Sequence, residues 1–141
     1  MAVRSAIAKW EGTLKEGAGK VSLGSGAFEG QYSFSTRFEE GTGTNPEELL
    51  GAAHAGCYAM ALNAALERAG HIPNFVHATA KVHLNRVNDA MTVNKIDLIV
   101  QADVPGIEDS TFQEFALDAK NTCIISRALN VPEITLQATL A

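Results

Sequence analysis

Apolar and polar residues alternate over the first 45 residues, in short runs that glycines separate. The alternation covers residues 6–11, 21–23 and 32–38. A period of two residues is typical of β-strands, and the glycines between the runs indicate turns. This part of the chain is therefore predicted to form an antiparallel meander, with Arg37 on the face opposite the phenylalanines of the last run.

A helix start follows this meander. Asn45 is a suitable N-cap, Pro46 suits the first helical position, and two glutamates follow in the first turn. The helix is predicted to continue to about Ala69 and to end at Gly70. Its middle is rich in alanine on every side, which predicts burial all round.

The weakly polar stretch from Leu49 to Leu66 is long enough to cross a membrane. It contains His54 and Asn63, however, and alanine and glycine dominate it, so its apolar character is weak. We therefore expect the buried helix of a protein that has no membrane partner.

Two longer alternating runs, at residues 76–85 and 95–104, flank a turn at Asn88-Asp89. They predict a hairpin with one apolar face. Ser110 and Gln113 fit a capping box, which predicts the start of a second helix.

After Cys123 the sequence predicts a short helical run, and then a last strand that alternates from Ile134 to Leu140. The order strands, helix, hairpin, helix, strand is typical of the α+β class. The chain has 141 residues and no repeats or linkers, so a single domain over residues 1–141 is predicted.

Composition narrows the class of protein. Lysine plus arginine is 11 and aspartate plus glutamate is 16, so the basic excess that a nucleic-acid binder needs is missing. No secretory signal is visible at the N-terminus, and two cysteines are too few for a disulfide-dense secreted scaffold. These features predict a cytoplasmic protein without a nucleic-acid partner.

Cys57 and Cys123 are the candidates for thiol chemistry. Cys57 lies 12 residues past the predicted N-cap, too far for the helix terminus to activate it, so its reactivity requires a cation from elsewhere in the fold. Cys123 lies near a predicted helix start, where thiols tend to be activated or accessible. An inert, buried role for either thiol stays open at this point.

His54 and Cys57 are three residues apart and share a helix face, a spacing that is compatible with a metal site. A zinc site requires two further ligands, which the sequence does not place nearby. A zinc-binding protein through His54 and Cys57 is kept as an alternative, and the more ordinary interpretation of His54 is a packed histidine.

The stretch from Thr44 to Cys57, TNPEELLGAAHAGC, resembles the signature helix of the OsmC/Ohr family, the osmotically inducible protein C and organic hydroperoxide resistance proteins. The histidine within GAAHA favours the OsmC branch. Further segments agree in sequence and spacing: Ala8–Gly12, Thr36–Phe38, Val104–Ile107, and Cys123 with Ser126. One departure is Ile124, which stands where the family often has proline.

The resemblance implies an OsmC-like fold, in which antiparallel sheets wrap around long central helices in an intertwined homodimer. It also implies a thiol-dependent peroxidase that acts on organic and also on inorganic hydroperoxides. Cys57 matches the peroxidatic cysteine and Cys123 the resolving cysteine. Arg37 matches the arginine that stabilises the thiolate and engages the peroxide, and Glu47 matches the carboxylate that orients this arginine.

In this scheme Cys57 forms a sulfenic acid, and Cys123 resolves it as an intramolecular disulfide. A dithiol reductant, in this family a lipoyl-type dithiol such as that of a lipoylated protein, regenerates both thiols, and no cofactor is required. Helix geometry puts Glu47 about 15 Å from Cys57 along the axis, so Arg37 has to bridge part of this gap. A non-catalytic ligand-binding or interaction protein on the same fold is the alternative from another class.

Overall fold

The computed structural model describes the whole chain, Met1 to Ala141, which divides into two compact units, Met1–Leu49 and Leu50–Ala141. In chain order the elements are β1 (Ala6–Glu11), β2 (Ala18–Leu23), β3 (Glu29–Tyr32), α1 (Phe34–Phe38), α2 (Pro46–Arg68), β4 (Phe75–Val87), β5 (Ala90–Asp103), α3 (Asp109–Thr122), α4 (Ile124–Ala128) and β6 (Glu133–Leu140). Two three-stranded sheets and separate helices confirm the predicted α+β class.

The first unit contains an antiparallel sheet in the order β1-β2-β3, as the alternating runs predicted. The predicted continuation of the last strand is wrong, since β3 ends at Tyr32 and α1 follows. Ser33 and Thr36 cap α1 reciprocally: the Thr36 amide donates to Ser33 Oγ, and the Ser33 amide donates to Thr36 Oγ1. Arg37 consequently lies on a short helix and not on a strand face.

Local sequence signals set both ends of α2. Asn45 Oδ1 accepts a hydrogen bond of 2.7 Å from the Glu48 amide, which confirms the predicted N-cap. At the other end Gly70 adopts a φ of +87°, and the His71 amide donates to the Leu66 carbonyl. This Schellman cap requires a left-handed residue and therefore favours glycine, as predicted.

Only one face of α2 is buried within the chain. Its buried residues follow a helical spacing: Gly51, His54, Tyr58, Leu62 and Leu66. Ala52, Ala53, Gly56 and Met60 are exposed, so the predicted burial on every side is wrong for the single chain. The length and composition of α2 would suffice for a membrane span, but the core helix of a soluble protein meets the same two criteria. The buried face of α2 packs into the core of the second unit.

The β4–β5 hairpin is the largest part of the sheet in the second unit. Its turn, Asn88-Asp89, has positive φ at both residues, as a two-residue type I′ turn requires, and the predicted hairpin is confirmed. The buried residues of β5 alternate along the strand and pack in the core with α2 and α3: Ile96, Leu98, Val100 and Ala102.

The third strand of this sheet, β6, pairs with β5 in parallel. The sequence predicted the strand β6 but not its direction. The family resemblance implies antiparallel sheets, which is correct for the first sheet and for the β4–β5 pair but wrong for β5 and β6. The parallel pairing follows because α3 and α4 return the chain to the end of the sheet at which β5 begins.

The start of α3 differs from the prediction. Glu108 is its N-cap and makes no side-chain capping bond, so the predicted capping box of Ser110 and Gln113 is wrong. Gln113 Nε2 instead donates at 2.8 Å to the Ala138 carbonyl of β6, which ties the helix to the sheet. Three residues on one face of α3 are buried: Phe112, Ala116 and Ala119.

Candidate active site

The two cysteines meet in the second unit, although 66 positions separate them in the sequence. Cys57 lies in the middle of α2, and Cys123 is both the C-cap of α3 and the N-cap of α4. Their Sγ atoms are 3.1 Å apart, and both thiols are free. Cys123 is buried, whereas Cys57 is half-buried. Because a disulfide bond is about 2.05 Å long, small side-chain movements suffice to form one.

The first turn of α4 presents backbone N–H groups to both sulfurs. The first amides of a helix have no partner within the helix and are free for such contacts. The amides of Ile125 and Ile124 act on Cys57, and those of Ser126 and Ile125 act on Cys123. The predicted position of Cys123 at a helix start is therefore confirmed, and Ile124 supplies an N–H that a proline lacks.

The pKa values of the two thiols move in opposite directions. Burial raises the pKa of Cys57, and burial together with the adjacent Cys123 sulfur outweighs the opposing effect of the Ile125 amide. Burial also raises the pKa of Cys123, but hydrogen bonds from the Ser126 amide, the Cys57 thiol and the Ser126 hydroxyl exceed it, so the net pKa is lowered. Within the second unit the thiolate is therefore favoured on Cys123, and the proton on Cys57.

Arg37 and Glu47 form an ion pair in the first unit. Arg37 Nη2 donates to Glu47 Oε1 at 2.8 Å, and Arg37 Nε donates to the same oxygen at 3.1 Å. The guanidinium also lies 5.4 Å from the centre of the Phe38 ring. These contacts fix one edge of the guanidinium, and its Nη1 group makes no hydrogen bond in the chain. The structure thus brings together the two residues that the family resemblance pairs, while their catalytic roles stay predictions.

His54 lies on the buried face of α2, one turn before Cys57. Its Nε2 is 2.6 Å from Ser126 Oγ, whereas its Nδ1 has no hydrogen-bond partner. Burial lowers the pKa of His54 and so favours the neutral imidazole. No group of three or more His, Cys, Asp or Glu side chains is placed to hold a metal ion, so the ligand set that the zinc alternative requires is not assembled.

A pocket of about 520 Å³ opens beside the thiols, and both cysteines line it. Met60 and the alanines of α2 form much of its apolar wall, and Arg68 and Asp118 contribute charged groups. A small organic molecule in this pocket can therefore contact the Cys57 sulfur and a mainly apolar surface at the same time.

Sequence reasoning noted Ser126 only as part of a motif and gave no role to Arg68 or Asp118. Ser126 follows Cys123 by three residues, in the first turn of the helix that Cys123 caps, and this spacing was the available signal. Its contact with His54 spans 72 positions, and no local pattern reveals such a contact.

Comparison with known proteins identifies relatives of the chain by sequence. The profile of a family described as OsmC-like protein matches residues 39–137. Peroxiredoxin OsmC of Escherichia coli (strain K12) is 48% identical over 130 residues, which cover 92% of this chain and 90% of that protein.

Solved structures identify relatives by fold. An OsmC-like protein of Vibrio cholerae matches with a TM-score of 0.80 and 17% identity, over 99% of this chain and 100% of that chain. The organic hydroperoxide resistance protein OhrB of Bacillus subtilis matches with a TM-score of 0.72 and 19% identity, over 97% of this chain and 98% of that chain. At these identities the two structures establish the fold alone.

Proposed function

Because this chain belongs to the OsmC-like family, we propose that it is a thiol-dependent peroxidase that reduces organic and inorganic hydroperoxides through Cys57 and Cys123. The observation that carries the proposal is the distance of 3.1 Å between the sulfurs of two free thiols. The names of the relatives agree with it, since the Escherichia coli protein is called a peroxiredoxin and the Bacillus subtilis protein an organic hydroperoxide resistance protein.

Cys57 is the proposed nucleophile. Its thiolate attacks the terminal oxygen of the hydroperoxide, so that an S–O bond forms while the O–O bond breaks. The alkoxide takes up a proton and leaves as an alcohol, and Cys57 becomes a sulfenic acid. The assignment is supported by exposure, because Cys57 is the more accessible of the two sulfurs that line the pocket.

Arg37 is proposed to supply the positive charge that the Cys57 thiolate requires. Burial raises the pKa of Cys57 in the second unit, and a cation beside the sulfur lowers it by Coulombic attraction. The guanidinium of Arg37 is permanently charged and has a free edge, while Glu47 holds the other edge. Glu47 is therefore proposed to orient Arg37 toward the thiolate.

Cys123 is the proposed resolving cysteine. Its sulfur attacks the sulfur of the sulfenic acid, so that the S–S bond forms while the S–O bond breaks. The departing hydroxide takes up the proton that the Cys123 thiol has lost, and water leaves. The lowered pKa of Cys123 supports this role, because the thiolate is the attacking form. A lipoyl-type dithiol, such as that of a lipoylated protein, then reduces the disulfide by exchange and is itself oxidised.

The chain is further proposed to be one domain, residues 1–141, that works as a homodimer in the cytoplasm. The support for the homodimer is the exposed face of α2, where Ala52, Ala53 and Gly56 leave space for the close approach of a second helix. A Cβ added at Gly56 meets no atom of the chain within 4 Å.

The proposed function is tested by turnover of cumene hydroperoxide with dihydrolipoamide in wild type, Cys57→Ser and Cys123→Ser. Loss of the nucleophile is expected to lower turnover by about 10⁴-fold or more. Cys123→Ser is expected to react once and then to accumulate sulfinic acid at Cys57 under excess peroxide. Unimpaired turnover by Cys57→Ser would sink the proposal, and unimpaired cycling by Cys123→Ser would remove the resolving role.

A non-catalytic ligand-binding protein is the second candidate, and the pocket of about 520 Å³ is the observation that favours it. For an unactivated Cys57, iodoacetamide labelling as a function of pH gives a thiol pKa at or above the ordinary value of about 8.5, because burial raises it. Such a pKa, together with peroxide that is not consumed, would favour the non-catalytic ligand-binding protein over the peroxidase.

A further inference from the structure

His54 is a buried titratable side chain that the proposed mechanism does not use. None of its surface is exposed, and its Nδ1 is buried without a hydrogen-bond partner. An unpaired buried polar atom destabilises a fold, whereas an apolar side chain at the same position carries no such penalty. The polar contact that His54 does make is with Ser126 Oγ, at 2.6 Å.

Ser126 connects this histidine to the thiols. It is the third residue of α4 and follows the N-cap Cys123 by three residues, and hydrogen bonds from its amide and its hydroxyl help to lower the pKa of the Cys123 thiol. That sulfur is in turn 3.1 Å from the sulfur of Cys57. Ser126 therefore contacts His54 of α2 directly and lies in the helical turn that Cys123 caps, and Cys123 in turn contacts Cys57, one turn beyond His54 on α2.

The number of available protons determines the direction of these hydrogen bonds. A serine hydroxyl donates one proton, and a neutral imidazole donates one through either nitrogen. If Nε2 of His54 carries the proton, it donates to Ser126, and the hydroxyl proton is free for the Cys123 sulfur. If Nδ1 carries it, the hydroxyl proton is used on Nε2, and a buried N–H is left without an acceptor. Only the first arrangement provides the sulfur with the donor that stabilises a thiolate.

We propose that His54 and Ser126 are positioning residues for the resolving step: His54 donates through Nε2 to Ser126 Oγ, and Ser126 donates to the Cys123 sulfur and holds it as a thiolate beside Cys57. The role in resolution rests on the proposed peroxidase function, whereas the hydrogen bonds to the thiolate do not. Neither residue gains or loses a proton in the step: the S–S bond forms, the S–O bond breaks, and the departing hydroxide takes up a proton from the solvent and leaves as water.

Matched variants separate this role from a purely structural one. Ser126→Ala and His54→Phe remove a donor, whereas Ser126→Thr keeps the hydroxyl and His54→Gln keeps an N–H of similar reach. Tyr58→Phe is the control, because Tyr58 is also buried on α2 and its hydroxyl donates at 2.8 Å to the Ala116 carbonyl in α3. It removes a hydrogen bond of comparable burial that does not involve a sulfur.

The first measurement is rapid-quench analysis with tert-butyl hydroperoxide, which separates sulfenic acid formation from disulfide formation. Ser126→Ala and His54→Phe are expected to slow disulfide formation about tenfold, while sulfenic acid formation changes by less than about twofold. Ser126→Thr and His54→Gln are expected to retain most of the wild-type rate, and Tyr58→Phe all of it. The proposal is overturned if folded Ser126→Ala forms the disulfide at the wild-type rate. It is also overturned if Tyr58→Phe slows disulfide formation as much as Ser126→Ala does.

The second measurement requires no peroxide. In a Cys57→Ala background the ultraviolet absorbance of the Cys123 thiolate is followed against pH, with the other titratable groups near the thiols, Tyr58, Arg68 and Asp118, left unchanged. Adding Ser126→Ala is expected to lower the thiolate-to-thiol ratio at a given pH about tenfold, and an unchanged ratio overturns the proposal. If the wild type consumes no peroxide, the proposed function fails separately, and this titration still decides whether Ser126 stabilises the thiolate.

Discussion

The two units of the chain hold their proposed site residues in different ways. All buried hydrophobic residues lie in the second unit, which also contains the adjacent sulfurs of Cys57 and Cys123. The first unit buries no hydrophobic side chain, and its ion pair is partly open to solvent, with 41% of the Arg37 side chain exposed. The thiol pair is therefore fixed by a packed core, whereas the arginine is fixed mainly by its own carboxylate partner.

This difference separates two requirements of a two-cysteine peroxidase. Disulfide formation requires two sulfurs at a fixed short distance, and the core of the second unit provides it. Activation of the nucleophile requires a lowered pKa, and in the second unit the pKa of Cys57 is raised by burial. The core of the second unit therefore favours disulfide formation but does not lower the pKa of Cys57, and the activating charge is proposed to come from Arg37.

The largest effect expected from this comparison concerns the source of the positive charge. Arg37→Met is expected to lower the second-order rate of Cys57 with cumene hydroperoxide about 100-fold, because the thiolate loses its cation. Arg68→Met is the matched control, since Arg68 lines the thiol pocket within the second unit. It is expected to change the rate by less than about threefold. Stopped-flow kinetics measures both, and the opposite ranking would assign activation to the second unit itself.

An intermediate effect concerns the stability of the second sheet. Asp97 of β5 accepts hydrogen bonds from Thr135 of β6 and His83 of β4. These bonds, with Thr135 the larger contributor, lower the pKa of Asp97 to about 2. A lowered carboxylate pKa adds stability that is present above the unfolded-state value of about 4 and is lost as the pH falls toward the folded-state value.

Urea unfolding of wild type and Asp97→Asn tests this pH dependence. The wild-type midpoint is expected to be higher above about pH 4.5, and the difference is expected to close between about pH 4 and pH 2. Glu133→Gln is the control, because Glu133 is an exposed carboxylate 4.0 Å from Lys95 at the edge of the same cluster, and it is expected to shift the midpoint little. A difference between wild type and Asp97→Asn that does not depend on pH contradicts the assignment.

The smallest effect concerns the amides of α4. Ile124→Pro keeps a residue that suits the first helical position but removes an N–H that lowers the pKa of Cys57. The peroxide rate at pH 7 is expected to fall by less than about threefold, because the Ile125 amide remains. Ile124→Val retains the amide and serves as the control. A loss of about 100-fold in the proline variant would mean that the α4 amides contribute as much to activation as the cation does.

Features with local signals were predicted well from the sequence. Asn45 and Gly70 mark the ends of α2, because capping depends on residues within one turn. The turn at Asn88-Asp89 is local in the same sense. The sequence predicts a strand where the five-residue helix α1 lies, because the phenylalanines continue a period of two, and the hydrogen bonds between Ser33 and Thr36 outweigh that pattern.

Features that depend on distant contacts were not predicted. The direction of β6 depends on pairing with β5, and the burial of α2 depends on which of its faces the rest of the chain covers. In the site, the resemblance paired Cys57 with Cys123 and Arg37 with Glu47, but the pattern of residues alone did neither. The contact between His54 and Ser126 was missed, because hydrogen bonds between distant residues leave no periodic trace in the sequence.

The most direct test of the two-cysteine cycle is peptide mapping of the wild-type protein after one equivalent of cumene hydroperoxide, with free thiols alkylated at the end of the reaction. The expected result is one equivalent of the alcohol and a single cross-linked peptide that joins Cys57 to Cys123 within one chain. Unconsumed peroxide, with both cysteines recovered in the alkylated form, would contradict it.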